Sequence, residues 1–414
     1  MINNDLKNVL HNASYLLLTQ GAMYIAPLLI LSYLLKTLGV QQFGYYALIL
    51  AVVAYLQIIN DYGFSFSSSR AISQGRENKE LISGIYLGTI IIKIIISIIL
   101  FLFYYFLLSI LPIDKKLSTG LVYGYLLVLG NTFQSQWFYQ GIEKLKIVAL
   151  LNLISRLCAC ALVFIFVKNE NDMVVAILVQ SIPIIVGAVV LNLVIVFHIK
   201  INVTIPSKKL IFQILKDGKD FFLASLYAVV LNNSGVFILG FMTNTTIVGI
   251  YAAAEKITKA VLSLFTPLTQ AIYPYNCRKF SLSLNDGLIS AKKTGVPIAI
   301  LALLASLSII VLAPNIIAYL RFPKETVLIS QILSFWLFFG VINNVLGIQI
   351  LSASGKGSLY SRLVLISASF TILLMVLLTY LYTASGVAFA IMAGELLLSI
   401  MLVMSINRKL RNYN

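Results

Sequence analysis

The sequence predicts an all-α membrane protein with twelve transmembrane helices, arranged as two six-helix lobes related by a parallel pseudo-two-fold repeat. Composition is the first reason: 60% of the 414 residues are hydrophobic and 11% are charged, against about 45–50% and about 25% in soluble domains. The second is that apolar residues come in runs long enough to cross a bilayer. The third is the uneven distribution of basic residues between those runs. Soluble enzymes, disordered chains and disulfide scaffolds are excluded.

Each apolar run can cross about 30 Å of hydrocarbon as a helix. Helices are favoured over a β-barrel because barrel strands alternate in polarity, and runs such as Ile90–Ile99 do not. The first run is too long for a signal-peptide core and no cleavage pattern follows it, so we interpret it as a retained span. The predicted spans are 13–35, 43–62, 81–109, 117–137, 147–167, 174–197, 221–241, 247–270, 295–320, 327–351, 359–382 and 385–406.

Basic residues between the spans predict the orientation. With both termini and the even-numbered loops on one side, that side carries twenty lysines and arginines, the other carries six, and four lie within spans. The positive-inside rule therefore places both termini in the cytoplasm. This orientation accounts for most of the net charge of +16, so no nucleic-acid partner is predicted.

The first long loop falls between spans six and seven and predicts a lobe boundary. The predicted domains are an N-terminal lobe over 1–200, a cytoplasmic linker over 201–220 and a C-terminal lobe over 221–414. A second long cytoplasmic loop is expected over about 273–294.

An internal repeat agrees with this division. Gly44-Tyr45-Tyr46-Ala47 opens span two, and Gly249-Ile250-Tyr251-Ala252 opens span eight 205 positions later. Asn131 in span four matches Asn343 in span ten, 212 positions later. Two halves with the same orientation predict a repeat axis along the membrane normal.

Charged residues within the spans are the main candidate functional residues. Each costs about 2.5–3.5 kcal/mol if it faces lipid, so most are expected to face a protein interior or a hydrated cavity. Mutual pairing is the alternative: Glu255 precedes Lys259 by four residues, a favourable helical order, and Glu395 could neutralise Lys93 or Arg156. The four cations are Lys93, Arg156, Lys256 and Lys259, and the two acids are Glu255 and Glu395.

Polar residues and prolines predict irregular helices. Span eight carries a polar stripe on one face, consisting of Tyr251, Glu255, Lys259, Ser263, Thr266 and Gln270. Asn232-Asn233-Ser234-Gly235 predicts a local break in span seven. Kinks are also candidates at Pro27, Pro183 and Pro267. The aromatic run Trp137-Phe138-Tyr139 at a span end is interpreted as an interfacial anchor.

Motifs for other chemistry are absent. The sequence has no P-loop, no G-x-S-x-G and no H-E-x-x-H motif. His11 and His198 are the only histidines, and the three cysteines have no zinc spacing. We therefore predict no metal and no cofactor.

Four local motifs together resemble the polysaccharide flippase family, the O-antigen exporters of the multidrug, oligosaccharidyl-lipid and polysaccharide exporter superfamily. The resemblance extends over nearly the whole chain, in the family's order and spacing. The motifs are Leu38-Gly39 with Phe43-Gly44-Tyr45-Tyr46-Ala47, Asp61-Tyr62-Gly63-Phe64 with Arg70, Gln136-Trp137-Phe138-Tyr139-Gln140-Gly141-Ile142-Glu143-Lys144, and Gly249-Ile250-Tyr251-Ala252-Ala253-Ala254-Glu255-Lys256-Ile257.

The resemblance implies a flippase in the bacterial inner membrane, not an enzyme. Its substrate would be an undecaprenyl-diphosphate-linked oligosaccharide, moved by alternating access and coupled to a cation gradient. Its partners would be membrane lipids, an O-antigen polymerase and a chain-length regulator. The expected substrate-binding residues are Lys93, Arg156, Lys256, Lys259, Asn232 and Asn233, and the expected ion-coupling residues are Glu255 and Glu395.

Two alternatives stay open. A drug or organic-cation antiporter of the same superfamily should have a net acidic cavity, whereas these spans have a cationic surplus. A membrane glycosyltransferase or polymerase should have a large outward loop with catalytic acids. The predicted outward acids lie in short loops and are Asp114, Glu170, Asp172 and Glu325.

Overall fold

The computed structural model describes residues 2–75, 77–199, 201 and 206–411; side chains are left out at 2–28, 220, 224, 228, 231, 271 and 408–411. Throughout these ranges the secondary structure is helical and contains no strand, which confirms the all-α prediction. The kink predicted at Pro27 falls among the residues whose side chains are not described.

Seven α-helices and a π-helical turn make up the first half of the chain. They are α1 (Ile2–Asp61), α2 (Phe64–Gln74), α3 (Lys79–Ile110), α4 (Lys115–Phe133), α5 (Gln136–Gly141), α6 (Leu145–Phe166), α7 (Met173–Val194) and the π-turn Ile195–Ile199. The second half contains six α-helices and a longer π-helix. They are α8 (Lys208–Met242), α9 (Thr245–Ser263), α10 (Phe265–Leu282), α11 (Leu284–Leu320), α12 (Glu325–Asn343), the π-helix Asn344–Ser352 and α13 (Gly357–Arg411).

Long apolar helices make the protein a multi-pass membrane protein. In the described residues, seven helices are long and apolar enough to cross a bilayer, or eight if one bent pair counts as a span. Two helices contain internal breaks, at Gly39 in α1 (φ 68°, ψ 174°) and at Thr383 in α13 (φ 52°, ψ −126°). Each break falls between two predicted spans: Gly39 lies between predicted spans one and two, and Thr383 lies between predicted spans eleven and twelve. The number twelve stays a prediction.

The structure corrects the region after predicted span eight. That span was expected as one helix over 247–270, but α9 ends at Ser263 and α10 begins at Phe265. Pro267 lies in the first turn of α10, where its missing N–H removes no intrahelical hydrogen bond. The loop expected over about 273–294 is wrong as well, because α10 continues to Leu282 and α11 starts at Leu284.

The chain forms two compact units. The N-unit consists of Met1–Leu38 and Tyr45–Asn233, and the C-unit consists of Gly39–Gly44 and Ser234–Asn414. The C-unit therefore includes a short segment from within α1. The lobe boundaries inferred from the sequence, with a linker over 201–220, remain predictions.

Aromatic residues form part of the N-unit core. Trp137, Phe138 and Tyr139 on α5 are all at least 98% buried, and they pack with Ile72 and Tyr86. The Tyr139 hydroxyl donates to the Leu191 carbonyl at 2.7 Å. This run was expected to anchor the protein at the membrane interface; instead it is a core cluster that holds the short α5 against its neighbours.

Two glycines of the sequence repeat pack against each other's segments in the C-unit. A Cβ added at Gly44 would lie 1.7 Å from the Thr245 carbonyl oxygen, and one added at Gly249 would lie 2.1 Å from the Val40 oxygen. No side chain fits at either position. The repeat motifs therefore mark a close backbone crossing between Gly39–Gly44 and α9.

Candidate functional site

A buried ion pair lies at the centre of the N-unit polar residues. Lys93 on α3 is 1% exposed, and its Nζ lies 3.4 Å from Asp61 Oδ1. The same ammonium donates to the Asn131 carbonyl of α4 at 3.2 Å. Ser65 Oγ donates to Asp61 Oδ1 at 2.8 Å. These contacts join α1, α2, α3 and α4 through one neutral pair.

Uncharged polar groups continue this cluster. Asn60 Nδ2 donates to Thr132 Oγ1 at 2.7 Å, and Thr132 in turn donates to the Val128 carbonyl. Asn60 Oδ1 is buried and accepts no hydrogen bond among the residues that the structure describes. Polar side chains of α1, α3 and α4 therefore meet where these three helices are in contact.

The partner of Lys93 was missed by the sequence analysis. Asp61 stood at the end of predicted span two and was quoted only as part of a motif, while Glu395 was considered as the acid for Lys93. A buried cation next to a carboxylate is not available to an anionic ligand in this state. Removing either member of such a pair strands the other charge at a cost of about 3–5 kcal/mol.

The other N-unit residues expected at the site lie elsewhere. Arg156 is exposed on α6, next to Leu157, which is 51% exposed. Asn232 is exposed, and Asn233 is half-buried and donates to the Val229 carbonyl of its own helix at 3.1 Å. The stretches Phe221–Tyr227 and Asn232–Met242 of α8 are inclined at 59°, so a bend precedes the Asn-Asn-Ser-Gly run.

In the C-unit, α9 positions the predicted Glu255–Lys259 pair. Glu255 is 6% exposed, and its Oε1 lies 3.1 Å from Lys259 Nζ, which confirms the pairing expected from their spacing. The Tyr251 hydroxyl donates to the same oxygen at 3.2 Å. Lys259 keeps a third of its side chain exposed (32%), and Lys256 is half-buried. Two cations are thus more accessible than the acid beside them.

The remaining part of the predicted stripe does not continue on α9. Ser263 ends that helix, and Thr266 and Gln270 belong to α10. The stripe on α9 therefore consists of Tyr251, Glu255, Lys259 and Ser263.

Trp336 on α12 connects the two predicted acids of the C-unit. Lys259 Nζ lies 5.9 Å from the centroid of the Trp336 ring, within cation–π range. Trp336 also lies close to the Glu395 carboxylate, and its indole N–H can only donate. The sequence analysis missed Trp336, because nothing in a run of apolar residues marks one aromatic as a bridge.

Asn343 completes what we term the C-unit network, which consists of Glu255, Lys259, Trp336, Glu395 and Asn343. Asn343 Nδ2 donates to Glu395 Oε2 at 2.6 Å, and Ser399 Oγ donates to Asn343 Oδ1 at 2.7 Å. The π-helix Asn344–Ser352 begins directly after Asn343, and π-helical segments are frequent at functional sites. Asn131 and Asn343, paired by the sequence repeat, thus each contact a charged residue, the buried Lys93 and the half-buried Glu395.

A metal centre has no donor set here. In the described part of the chain, no three His, Cys, Asp or Glu side chains are grouped so that they could hold an ion. Both polar clusters are instead built from hydrogen bonds and ion pairs, an arrangement that can bind and release protons or exchange one anionic partner for another.

Comparison with known proteins assigns the chain to a protein family. The family model described as "Polysaccharide biosynthesis protein" matches residues 9–279. A protein of Escherichia coli (strain K12) named "Putative O-antigen transporter" is 29% identical over 415 residues, covering 99% of each chain. A protein of the same name from Shigella dysenteriae is 28% identical, covering 95% of this chain and 99% of its own.

Solved structures share the fold. One is an inward-facing multidrug resistance MATE family transporter of the MOP superfamily, with a TM-score of 0.70 at 14% identity, covering 94% of this chain and 95% of that one. Another is the lipid II flippase MurJ in an inward closed conformation, with a TM-score of 0.67 at 16% identity, covering 94% and 87%. The curated relatives are named as transporters, which confirms the prediction of a transporter over an enzyme. The chain belongs to the polysaccharide biosynthesis protein family and is a multi-pass membrane transporter of that family.

Proposed function

We propose that the protein is a flippase that moves an undecaprenyl-diphosphate-linked oligosaccharide across the bacterial inner membrane by alternating access, coupled to a cation gradient. The observation that carries the proposal is the pair of lysines on α9, the half-buried Lys256 and the partly exposed Lys259, next to the buried acid Glu255. Family membership and the names of the relatives support the substrate class.

The chemistry requires fixed positive charge. Sugar hydroxyls and a diphosphate cannot cross hydrocarbon without polar partners, whereas the polyprenyl tail can stay among the lipid chains. Ammonium groups of Lys256 and Lys259 would form charge-assisted hydrogen bonds with the diphosphate oxygens. Arg156, Asn232 and Asn233 stay in the proposal as further substrate contacts.

Exchange of partners at Lys259 would couple transport to a cation. In the state described, Glu255 neutralises Lys259. When the diphosphate takes the ammonium group, Glu255 is left as an unpaired buried carboxylate, which is costly unless a proton or another cation binds to it. Glu395 would act as the second acid, since Trp336 lies between it and Lys259.

Lys93 takes a different part in this proposal. Its pairing with Asp61 means that it contacts the substrate only if that pair opens, so we propose that it acts in a conformation other than the one described.

The test replaces the α9 lysines in a strain that lacks its own copy of the transporter. Lys256→Gln and Lys259→Gln should each lower surface polysaccharide at least tenfold at matched protein level, while lipid-linked repeat units accumulate facing the cytoplasm. Lys259→Arg keeps the charge and should retain most transport. Wild-type polysaccharide in both glutamine variants would exclude the proposed site.

A drug antiporter is the second candidate, because Asp61 raises the number of acids within the predicted spans to three. Export of a cationic dye from loaded vesicles, with no flipping of lipid-linked oligosaccharide, would favour it. Functional dependence on an O-antigen polymerase and a chain-length regulator belongs to the flippase proposal alone.

A further inference from the structure

The first three turns of α8 carry a basic face that the proposed function does not use. At about 100° per residue, its members fall within an arc of about 100° on the helix. Four are lysines, and the fifth is an aromatic side chain that is 71% exposed. The basic face consists of Lys208, Lys209, Phe212, Lys216 and Lys219, all of them exposed.

The opposite side of this segment is fixed to the N-unit. Ile214 is buried in a cluster with Phe64 and Ile92. Gly63 and Gly218 bring two backbones together, since a Cβ added at Gly63 would lie 2.5 Å from the Gly218 oxygen. Because that side is packed, the helix cannot rotate, and the basic face remains directed away from the N-unit.

Two features of the basic face run against the preferences of a helix surrounded by water. Lys208 and Lys209 lie in the first turn, directly after Ser207, whose Oγ accepts from the Leu210 N–H at 3.3 Å. The helix dipole disfavours cations at this position. Phe212 is an exposed aromatic among lysines, a composition typical of helices that lie in the membrane interface. The same helix continues into the apolar stretch that ends at Met242.

We propose that the basic face binds anionic phospholipid headgroups at the membrane surface, with Phe212 inserted among the acyl chains. Charge complementarity supports this occupant, since residues 208–220 contain four lysines against Asp217 and Asp220. The predicted orientation puts this segment at the cytoplasmic leaflet, where anionic lipids attract basic segments next to a membrane span. The site is independent of the proposed substrate and would be present in a transporter of any cargo.

The experiment measures which lipid surrounds the basic face in the full-length protein. Cys158, Cys160 and Cys277 are replaced by serine, and Gln213→Cys, exposed at the edge of the face, is labelled with a fluorophore. The protein is reconstituted into vesicles of phosphatidylcholine and phosphatidylglycerol. Quenching by nitroxide-labelled phosphatidylglycerol should exceed quenching by nitroxide-labelled phosphatidylcholine, and high salt should reduce the difference.

Variants separate the basic face from general charge. Lys208→Gln with Lys209→Gln should lower the preference for phosphatidylglycerol, by about fivefold for each lysine removed. Lys292→Gln with Lys293→Gln removes the same charge from two exposed lysines of α11 and should leave the preference unchanged.

Three results would overturn the inference. They are equal quenching by the two lipids, an equal loss in both pairs of variants, and stronger quenching by a nitroxide-labelled polyprenyl diphosphate than by phosphatidylglycerol. The last result would assign the face to the diphosphate class of ligand. None of the three bears on whether Lys256 and Lys259 bind substrate, so the two proposals fail separately.

Discussion

Residues four apart on one helix were paired correctly from the sequence, whereas residues on different helices were not. Glu255 and Lys259 lie one turn apart, so their contact follows from helix geometry alone. Asp61 and Lys93 are separated by 32 residues and meet only because α1 and α3 pack together. The charge balance estimated from the spans omitted Asp61 for this reason, and the surplus of cations is smaller by one than expected.

Substitutions of the Lys93–Asp61 pair should show strong coupling in stability. Lys93→Met alone leaves a buried carboxylate and should lower the free energy of unfolding by about 3–5 kcal/mol. Lys93→Met combined with Asp61→Asn removes both charges and should recover most of that loss, because a neutral pair of similar volume is often tolerated. Thermal unfolding of the purified variants in detergent checks the order of stability.

Transport by the double variant distinguishes two roles for this pair. A stable double variant with normal transport would limit the pair to holding α1 and α3 together. A stable double variant without transport would support the proposal that Lys93 acts in another conformation.

At the scale of elements, the repeat predicted from glycines matches a packing contact, whereas the position of a helix end could not be predicted from proline. The repeat motifs were recognised because Gly44 and Gly249 recur at a fixed spacing, and the structure gives the physical reason, a backbone crossing with no space for Cβ. Pro267 was interpreted as a kink within a span, and it lies three residues after Leu264, the single residue that separates α9 from α10. A proline near a helix start and one inside a helix look alike in a sequence, because only the position of the break distinguishes them.

A side chain at the glycine crossing should disrupt the C-unit. Gly249→Ala would place a Cβ 2.1 Å from the Val40 oxygen, a backbone atom that cannot move aside cheaply. We expect a marked loss of folded protein, measured by size-exclusion chromatography after detergent extraction.

Gly340→Ala is the matched control, since nothing lies within 4 Å of the Cβ that it adds. In the interior of α12 this change should be neutral or stabilising, by up to about 1 kcal/mol. Similar yields from the two alanine variants would show that the crossing is looser than described.

At the scale of the whole molecule, composition was sufficient for the class of protein and insufficient for the number of spans. Hydrophobic content and run length predict a helical membrane protein, because backbone groups in lipid must be satisfied within helices. They do not show the backbone geometry that divides α1 at Gly39 and α13 at Thr383. The Trp137 cluster shows a similar limit, since an aromatic run at a span end satisfies either a membrane interface or a protein core.

The orientation is a further prediction at this scale. With both termini in the cytoplasm, a fluorescent protein that folds only in the cytoplasm should fluoresce when fused to the C-terminus. A reporter enzyme that is active only on the opposite side of the membrane should show no activity at the same position. The opposite pattern would reverse the orientation inferred from basic residues and would place the basic face of α8 at the outer leaflet.

The inclusion of Gly39–Gly44 in the C-unit has a consequence for synthesis. The ribosome makes these residues long before their partner Gly249, and at about 5–20 residues per second the delay is roughly 10–40 s. During that interval Gly39–Gly44 has been synthesised but α9 has not. Assembly of the C-unit therefore depends on a segment that is made together with the N-unit. Chaperones or insertion factors that shield nascent helices would act in this interval. A fragment produced from residue 234 onward would lack Gly39–Gly44, the segment that packs against Gly249 in the C-unit.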